Sequence, residues 1–420
     1  MNQRDSIIVN MGAKIMTKII SKLTNGIDYI YKNNPNTPRM ALCLNFLISK
    51  PEARPGIYSL MARLLLQGTK NYNSEQLANE FEKFAIDFSS ELFPNYLRLK
   101  FVCLNEDFSK AMELMNEVIT NSTFEEFEKE KSKLRGEILA ELDSPKAMAM
   151  DAYFNEMFEN HYYGNTMTKI LENIDNITKE DVIQAYDYIL NNVKKALAVV
   201  GALKKDEIID SIEDTIGKLS NNQNDEFLIE KPVLDRKKEV VNIKSEINQA
   251  HIVKGWQVPT CAQEDYYPLV LLNIMLGACG LSSRLFMELR DKKGLAYVVR
   301  SSYETYKLTG NFMIYIATEP KNIEVSLKGF NEEIEKVKTV AVSEKELNDA
   351  KNNLIGKSAF LEETNIQQAC TYAKYGVLGL GFEFSEQMKE TVKSVSAEQI
   401  LECAKKYFTD EKYVLSIIKP

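Results

Sequence analysis

The chain has 420 residues, of which 45% are hydrophobic, and it carries a formal net charge of −8 at pH 7. That length exceeds one ordinary core and predicts two or three domains, and the acidic balance argues against a nucleic-acid partner. No run of about 18 apolar residues occurs, so the sequence predicts no membrane span.

The N-terminal segment and the cysteines both indicate a reducing compartment. Residues 1–16 contain neither a long apolar stretch nor an Ala-x-Ala cleavage signal, so we expect no signal peptide. The six cysteines lie far apart and form no C-x-x-C pair, which predicts reduced and buried thiols. Together these features predict a cytoplasmic protein.

The first half of the chain alternates predicted helices and strands. Residues 55–69, PGIYSLMARLLLQGT, predict a helix with one apolar stripe that ends at a Gly-Thr pair. Alternating apolar residues predict strands over residues 40–48 and 96–104. From Phe108 the apolar residues follow a helical spacing.

In the second half, residues 295–318 predict two strands joined near Thr309 and Gly310. A helix precedes them, with Arg290 near its end and Gly294 as its C′ stop. Tyr297 lies just inside the first of these strands. Because a tight turn joins helix and strand, we expect the side chains of Arg290 and Tyr297 to point toward one place.

The two halves of the chain resemble each other. Thr178 and Ser396 each begin a helix with a capping box or a close relative of one. Three passages recur in the same order, at an offset of about 215 to 220 residues: residues 108–119 with 323–334, 123–138 with 343–358, and 177–203 with 395–420. The repeat indicates duplication of a unit of about 200 residues.

The duplication predicts a domain organisation and a fold class. A polar and then charged joint separates two similar domains, 1–222 and 235–420, with residues 223–234 as the linker. Since helices fall between hairpin-like strands, we expect an α+β fold in which each domain has an antiparallel-rich sheet packed with helices.

Histidine is too scarce for most hydrolytic chemistry. The only two, His161 and His251, are far apart in the chain. Histidine is the commonest metal ligand and general base. Its scarcity argues against an autonomous metalloenzyme or a Ser/His/Asp hydrolase, and both histidines are interpreted as structural.

Residues 280–320, GLSSRLFMELRDKKGLAYVVRSSYETYKLTGNFMIYIATEP, resemble the C-terminal domain of the pitrilysin/insulinase-type metallopeptidases, the inverzincins. Residues 23–31, 68–90 and 158–167 resemble segments of the same family's N-terminal domain. The resemblance covers nearly the whole chain. It implies two homologous domains per half-length chain, with two chains paired into a clam-like chamber.

The zinc motif of that family is degenerate in this chain. The two histidines of H-x-x-E-H correspond to Ser59 and Arg63, and the glutamate that activates water corresponds to Ala62. The distant glutamate ligand corresponds to Glu141, which could instead pair with Arg63. One ligand of three cannot hold catalytic zinc, so we expect no metal in this chain and zinc in a partner subunit.

In similar peptidases an arginine and a tyrosine at the spacing of Arg290 and Tyr297 reach the active centre from the domain that lacks zinc. Arginine and tyrosine both donate hydrogen bonds. Two such donors can stabilise the negative charge that develops on a scissile carbonyl oxygen. The resemblance therefore implies that these residues stabilise the substrate or transition state in the partner's active site.

The leading hypothesis is a zinc-free subunit of a heterodimeric metalloendopeptidase, inactive alone and closing the chamber of an H-x-x-E-H-bearing partner over a peptide substrate. One alternative is a non-catalytic scaffold subunit. Another is a peptide-binding subunit of a larger complex that takes no part in the chemistry.

Overall fold

The computed structural model describes residues 7–9, 16–221 and 227–420. Twelve strands lie within them, in two separate sheets. The strands are β1 (Ile7–Val9), β2 (Met16–Lys22), β3 (Asp28–Asn33), β4 (Arg39–Leu47), β5 (Asp87–Phe93), β6 (Tyr96–Leu104), β7 (Lys195–Gly201), β8 (Lys238–Ile243), β9 (Ala250–Val258), β10 (Ala296–Thr305), β11 (Gly310–Thr318) and β12 (Val414–Lys419).

Fourteen α-helices occur in the same described ranges. No helix there is both long and apolar enough to cross a bilayer. The helices are α1 (Ile57–Leu64), α2 (Ser74–Lys83), α3 (Phe108–Asn121), α4 (Phe127–Leu142), α5 (Pro145–Met157), α6 (Met167–Asn173), α7 (Lys179–Asn192), α8 (Lys205–Thr215), α9 (Tyr266–Asn273), α10 (Ile323–Thr339), α11 (Glu344–Leu361), α12 (Asn365–Leu378), α13 (Met388–Ser394) and α14 (Ala397–Tyr407).

The two sheets share one strand order. The first runs β1-β2-β3-β7-β4-β6-β5 and the second runs β10-β11-β9-β12-β8. Read from its other edge, the second sheet is β8-β12-β9-β11-β10, and these strands correspond in order to β3-β7-β4-β6-β5 of the first sheet. In each, one parallel pair, β3 with β7 or β8 with β12, interrupts otherwise antiparallel pairing. The α+β fold and the internal duplication predicted from the sequence are confirmed.

The chain folds into two compact units, each built from segments of both halves of the sequence. The first unit joins the residues up to Leu134 with Asn173–Ile229 and Ala359–Glu386. The second joins Arg135–Glu172 with Glu230–Ser358 and Gln387–Pro420. The predicted domains 1–222 and 235–420 with linker 223–234 follow the repeats instead of these units, and their boundaries stay a prediction.

Two equivalent helices change units. Helix α12 belongs to the second repeat by sequence, yet it packs on β4 and β7 of the first unit. Helix α5 belongs to the first repeat and packs on β9 and β12 of the second unit. Because each helix covers one apolar sheet face, each unit needs a segment from both repeats to complete its core.

Burial on both faces explains the composition of the central strands. In β9, Ile252 and Trp256 enter the core on one face, while Val253 packs beside Met313 under α5 on the other. All of these side chains are nearly or fully buried. A strand covered on both faces can carry apolar residues at consecutive positions, as β9 does at Ile252 and Val253.

Candidate functional site

Helix α1, onto which the resemblance places the zinc motif, carries no His, Cys, Asp or Glu side chain. It begins after Gly56, whose φ of 105° requires glycine, and it buries Leu60, Met61 and Ala62 against the first unit's core. Ser59 is half-buried. The methyl group of Ala62 cannot act as a base. Helix α1 therefore has no side chain that could bind a metal or activate water.

Arg63, which the resemblance aligns with the motif's second histidine, makes an ion pair. Its Nε donates to Oε2 of Glu130 on α4 at 3.2 Å. The Glu130 side chain is only 3% exposed, and Lys133 lies 3.6 Å from its other oxygen. The sequence suggested Glu141 as the carboxylate for Arg63, and it did not identify Glu130.

The residues present here do not fit zinc. The permanently charged guanidinium of Arg63 repels a divalent cation. Ser59 offers only a hydroxyl and Ala62 only a methyl group. Glu141 is exposed on α4. Across residues 7–9, 16–221 and 227–420 the structure has no group of three His, Cys, Asp or Glu side chains that could hold a metal.

The segment carrying Arg290 departs from regular α-helix. Helix α9 continues into a π-helical stretch, Ile274–Ala278, and a second π-helical stretch spans Phe286–Lys292. Such stretches are rare and occur frequently at functional sites. Gly294 follows the second stretch, and its φ of 62° lets the Leu295 amide donate to the carbonyl of Leu289 at 2.9 Å.

Tyr297 lies in a β-bulge at the start of the edge strand β10. Ala296 pairs with Thr318 and Val298 pairs with Ala317, so Tyr297 is the extra residue in the ladder. A bulge re-aims the side chain that it carries. The Tyr297 side chain is accordingly 76% exposed although both flanking residues pair with β11.

The structure brings Arg290 and Tyr297 together. The guanidinium carbon of Arg290 lies 5.0 Å from the centre of the Tyr297 ring and 4.7 Å from that of Phe286. Two aromatic faces therefore hold the planar guanidinium by cation–π interaction. Phe286 was not among the residues expected from the sequence, although its position four residues before Arg290 places both on one helix face.

Arg290 differs from its neighbours in its electrostatic environment. Within the described part of the chain, no carboxylate lies at ion-pair distance from its guanidinium. The Tyr297 hydroxyl has no hydrogen-bond partner there either. Each of the other three cations of this segment is bound to a carboxylate: Arg284 to Glu346, Lys292 to Glu288, and Lys293 to Glu332.

Two pre-placed donors on one exposed face can bind an anionic or carbonyl oxygen. A guanidinium held by rings keeps its N–H groups free for an acceptor, since cation–π contact does not use them. Oxyanion-stabilising sites are built from donors of this kind.

Gly277 sets the close approach between the first π-helical stretch and β10. A Cβ built on it would overlap the backbone nitrogen of Ser301. We expect Gly277→Ala to lower the free energy of unfolding by about 1–3 kcal/mol through overpacking. Gly136→Ala, inside α4 with nothing near its Cβ position, should be neutral or stabilise by up to about 1 kcal/mol. Urea denaturation compares them, and a Gly277 variant as stable as the Gly136 variant would contradict this packing argument.

Two family descriptions match the chain. "Insulinase (Peptidase family M16)" matches residues 32–173, and "Peptidase M16 inactive domain" matches residues 176–354. The first match contains α1 and the degenerate motif. The second contains both π-helical stretches and the Arg290–Tyr297 pair.

Among known proteins similar to this chain, some are named as proteases and others as non-peptidases. An "uncharacterized zinc protease" of Rickettsia felis is 28% identical, with 93% of this chain and 95% of that protein covered. A "non-peptidase homolog" of Helicobacter pylori is 24% identical, over 82% of this chain and 80% of that protein. A solved structure of a protease from Helicobacter pylori matches with a TM-score of 0.87 at 22% identity, covering 96% of this chain and 99% of that chain, which establishes a shared fold.

Proposed function

Since the chain belongs to peptidase family M16, the insulinase family, we propose that it is a zinc-free subunit working with a homologous chain that carries H-x-x-E-H. In this role it presents Arg290 and Tyr297 to a peptide substrate in the partner's active site. It hydrolyses no peptides by itself.

The unpaired guanidinium of Arg290 is the observation that carries the proposal. A surface arginine near a helix end usually has solvent or a carboxylate as its partner. Arg290 instead stacks against two rings, beside a tyrosine whose hydroxyl is free within the described residues. A π-helical stretch and a β-bulge are both used to reach this arrangement, and each is less stable locally than regular structure.

The lack of metal-ligating side chains on α1 supports an auxiliary role. Arg63 donates to a nearly buried carboxylate at the motif's last position, so a metal would have to displace an ion pair. Relatives of this chain carry both zinc-protease and non-peptidase names. The side chains on α1 favour the non-peptidase role for this chain.

The chemistry proposed for the donors is electrostatic. When water adds to a peptide carbonyl, the oxygen gains negative charge, and N–H and O–H donors already in place stabilise it more strongly than they stabilise the ground state. Arg290 supplies a fixed charge and Tyr297 a neutral O–H. The scissile carbonyl, or one next to it, is the acceptor that this pair suits.

Reconstitution tests the proposal. The chain is purified alone and mixed with candidate homologous chains that carry an intact H-x-x-E-H, and peptide hydrolysis is followed with and without a chelator. We expect hydrolysis in a mixture and none from this chain alone. Chelator-sensitive hydrolysis by this chain alone, or stoichiometric zinc in it by elemental analysis, would overturn the proposal.

A further inference from the structure

Two cysteines from distant parts of the sequence meet inside the first unit. Cys43 lies on β4 and is fully buried, and Cys370 lies on α12, which packs on the same face of the sheet. The Cys370 side chain packs against the buried cluster that contains Cys43, so the two thiols are neighbours in the first unit. Cys370 is half-buried and is therefore the member of the pair that solvent can reach.

A buried arginine lies beside the pair. Arg98, on β6 opposite Asn45, is 8% exposed. Its Nε donates to Oδ1 of Asn45 at 3.3 Å, and its Nη2 donates to the backbone carbonyl of Cys370 at 3.4 Å. The Cys43 sulfur lies 3.5 Å from the same Asn45 oxygen. One hydrogen-bonded cluster thus links the strand, the helix and the guanidinium.

The surroundings favour a thiolate on one sulfur only. The neighbouring Cys43 side chain, together with the Arg98 and Lys100 charges, lowers the pKa of Cys370 to about 7 against the opposing effect of burial. Burial raises the pKa of Cys43 well above its ordinary value. A partly accessible thiolate next to a protonated thiol is the arrangement of an attacking and a resolving cysteine.

We propose that Cys43 and Cys370 form a redox-sensitive dithiol that closes to a disulfide between β4 and α12. The four other cysteines provide the contrast. Cys103, Cys261 and Cys403 are buried, and Cys279 is half-buried on the second unit. The expectation that all six thiols are buried is therefore wrong for Cys279 and Cys370.

Hydrogen peroxide is the oxidant that we assign to the conversion of the two thiols into a disulfide. The Cys370 thiolate attacks one peroxide oxygen and breaks the O–O bond, which leaves a sulfenic acid and, after proton uptake, one water. The Cys43 thiol then attacks the Cys370 sulfur, forms the S–S bond and releases the second water. Two electrons pass from the sulfurs to peroxide, and a dithiol reductant reverses the change.

Mass spectrometry of the intact folded chain tests the proposal. After mild peroxide treatment and alkylation we expect the peptides of Cys43 and Cys370 joined, lighter by two hydrogens than the two free-thiol peptides together. Free thiols counted in denaturant should fall from the six of the reduced chain by two, and dithiothreitol should restore them. Peptides that stay separate, or a bridge between other cysteines, would overturn the proposal.

Single substitutions supply the controls. Cys279→Ser removes a half-buried thiol outside the pair and should leave bridge formation unchanged. Cys43→Ala keeps a small apolar group in the core and should leave Cys370 as a sulfenic or sulfinic acid with no bridge. Arg98→Met should slow bridge formation severalfold if the guanidinium stabilises the thiolate. An unchanged rate in Arg98→Met, with the circular dichroism of the native fold, contradicts the assigned role of Arg98.

Discussion

In a reconstituted pair of subunits, Arg290→Ala lowers kcat by at least about tenfold and by up to about 10³-fold, with little change in KM. The reason is that the guanidinium interacts most strongly with charge that appears only in the transition state. Steady-state kinetics on a peptide substrate measures the effect, and size-exclusion chromatography verifies that the two chains still assemble.

Three variants separate the contributions at this site. Tyr297→Phe removes the hydroxyl and keeps the ring on which Arg290 stacks, so its loss in kcat should be smaller than that of Arg290→Ala. Arg290→Lys keeps the charge without the planar fork and should be intermediate. Lys292→Ala removes an exposed cation that is paired with Glu288 at the same helix end, and it should leave kcat unchanged.

The rival functions give different results in the same experiment. If the chain were only a scaffold, Arg290→Ala would leave both kcat and KM unchanged while assembly remained intact. If it were a peptide-binding subunit, KM would rise and kcat would stay constant. Only a fall in kcat supports the catalytic use of the pair.

Arg63→Ala lowers the free energy of unfolding by about 2–3 kcal/mol. The substitution leaves the Glu130 carboxylate, 3% exposed, without its nearest cation, and truncation of one partner of a buried pair typically costs about 3–5 kcal/mol. The expected cost is lower here because Lys133, 3.6 Å away, still faces Glu130. Urea denaturation followed by circular dichroism measures the difference.

Two controls accompany Arg63→Ala. Arg54→Ala removes an exposed arginine that pairs with Asp181, and such a surface pair should cost less than about 1 kcal/mol. In Arg63→Met combined with Glu130→Leu no charge is left buried, and the double variant should recover most of the lost stability. An Arg63→Ala protein within about 0.5 kcal/mol of the original would contradict the buried pair, since variants remote from such features stay in that range.

Much of the local structure was predictable because short-range physics determines it. Strand β6 spans the predicted residues 96–104, and β4 begins one residue before its prediction. The Thr178 and Ser396 side chains both accept from the backbone amide three residues later, in complete capping boxes. Capping and two-residue alternation depend on neighbours in the chain, which the sequence displays directly.

The features that shape the candidate site depend on longer-range packing. The two π-helical stretches and the bulge at Tyr297 break the periodicities on which prediction relies, so no pattern of apolar residues revealed them. Glu130 was missed because the charges of α4 look like a solvated helix face, and only the fold buries one of them. Family resemblance implied the pairing of Arg290 with Tyr297, while the packing of Phe286 on the guanidinium is seen only in the folded structure.

The exchange of α5 and α12 affects the order in which the chain acquires its structure on the ribosome. The first sheet has all its strands once Gly201 has been made, yet the helix that covers one of its faces ends only at Leu378. At about 5–20 residues per second this face waits roughly ten to thirty seconds for its cover. During that interval a nascent chain exposes an apolar surface that fits α12 from any copy of the protein, and neighbouring chains on one messenger RNA are the nearest source.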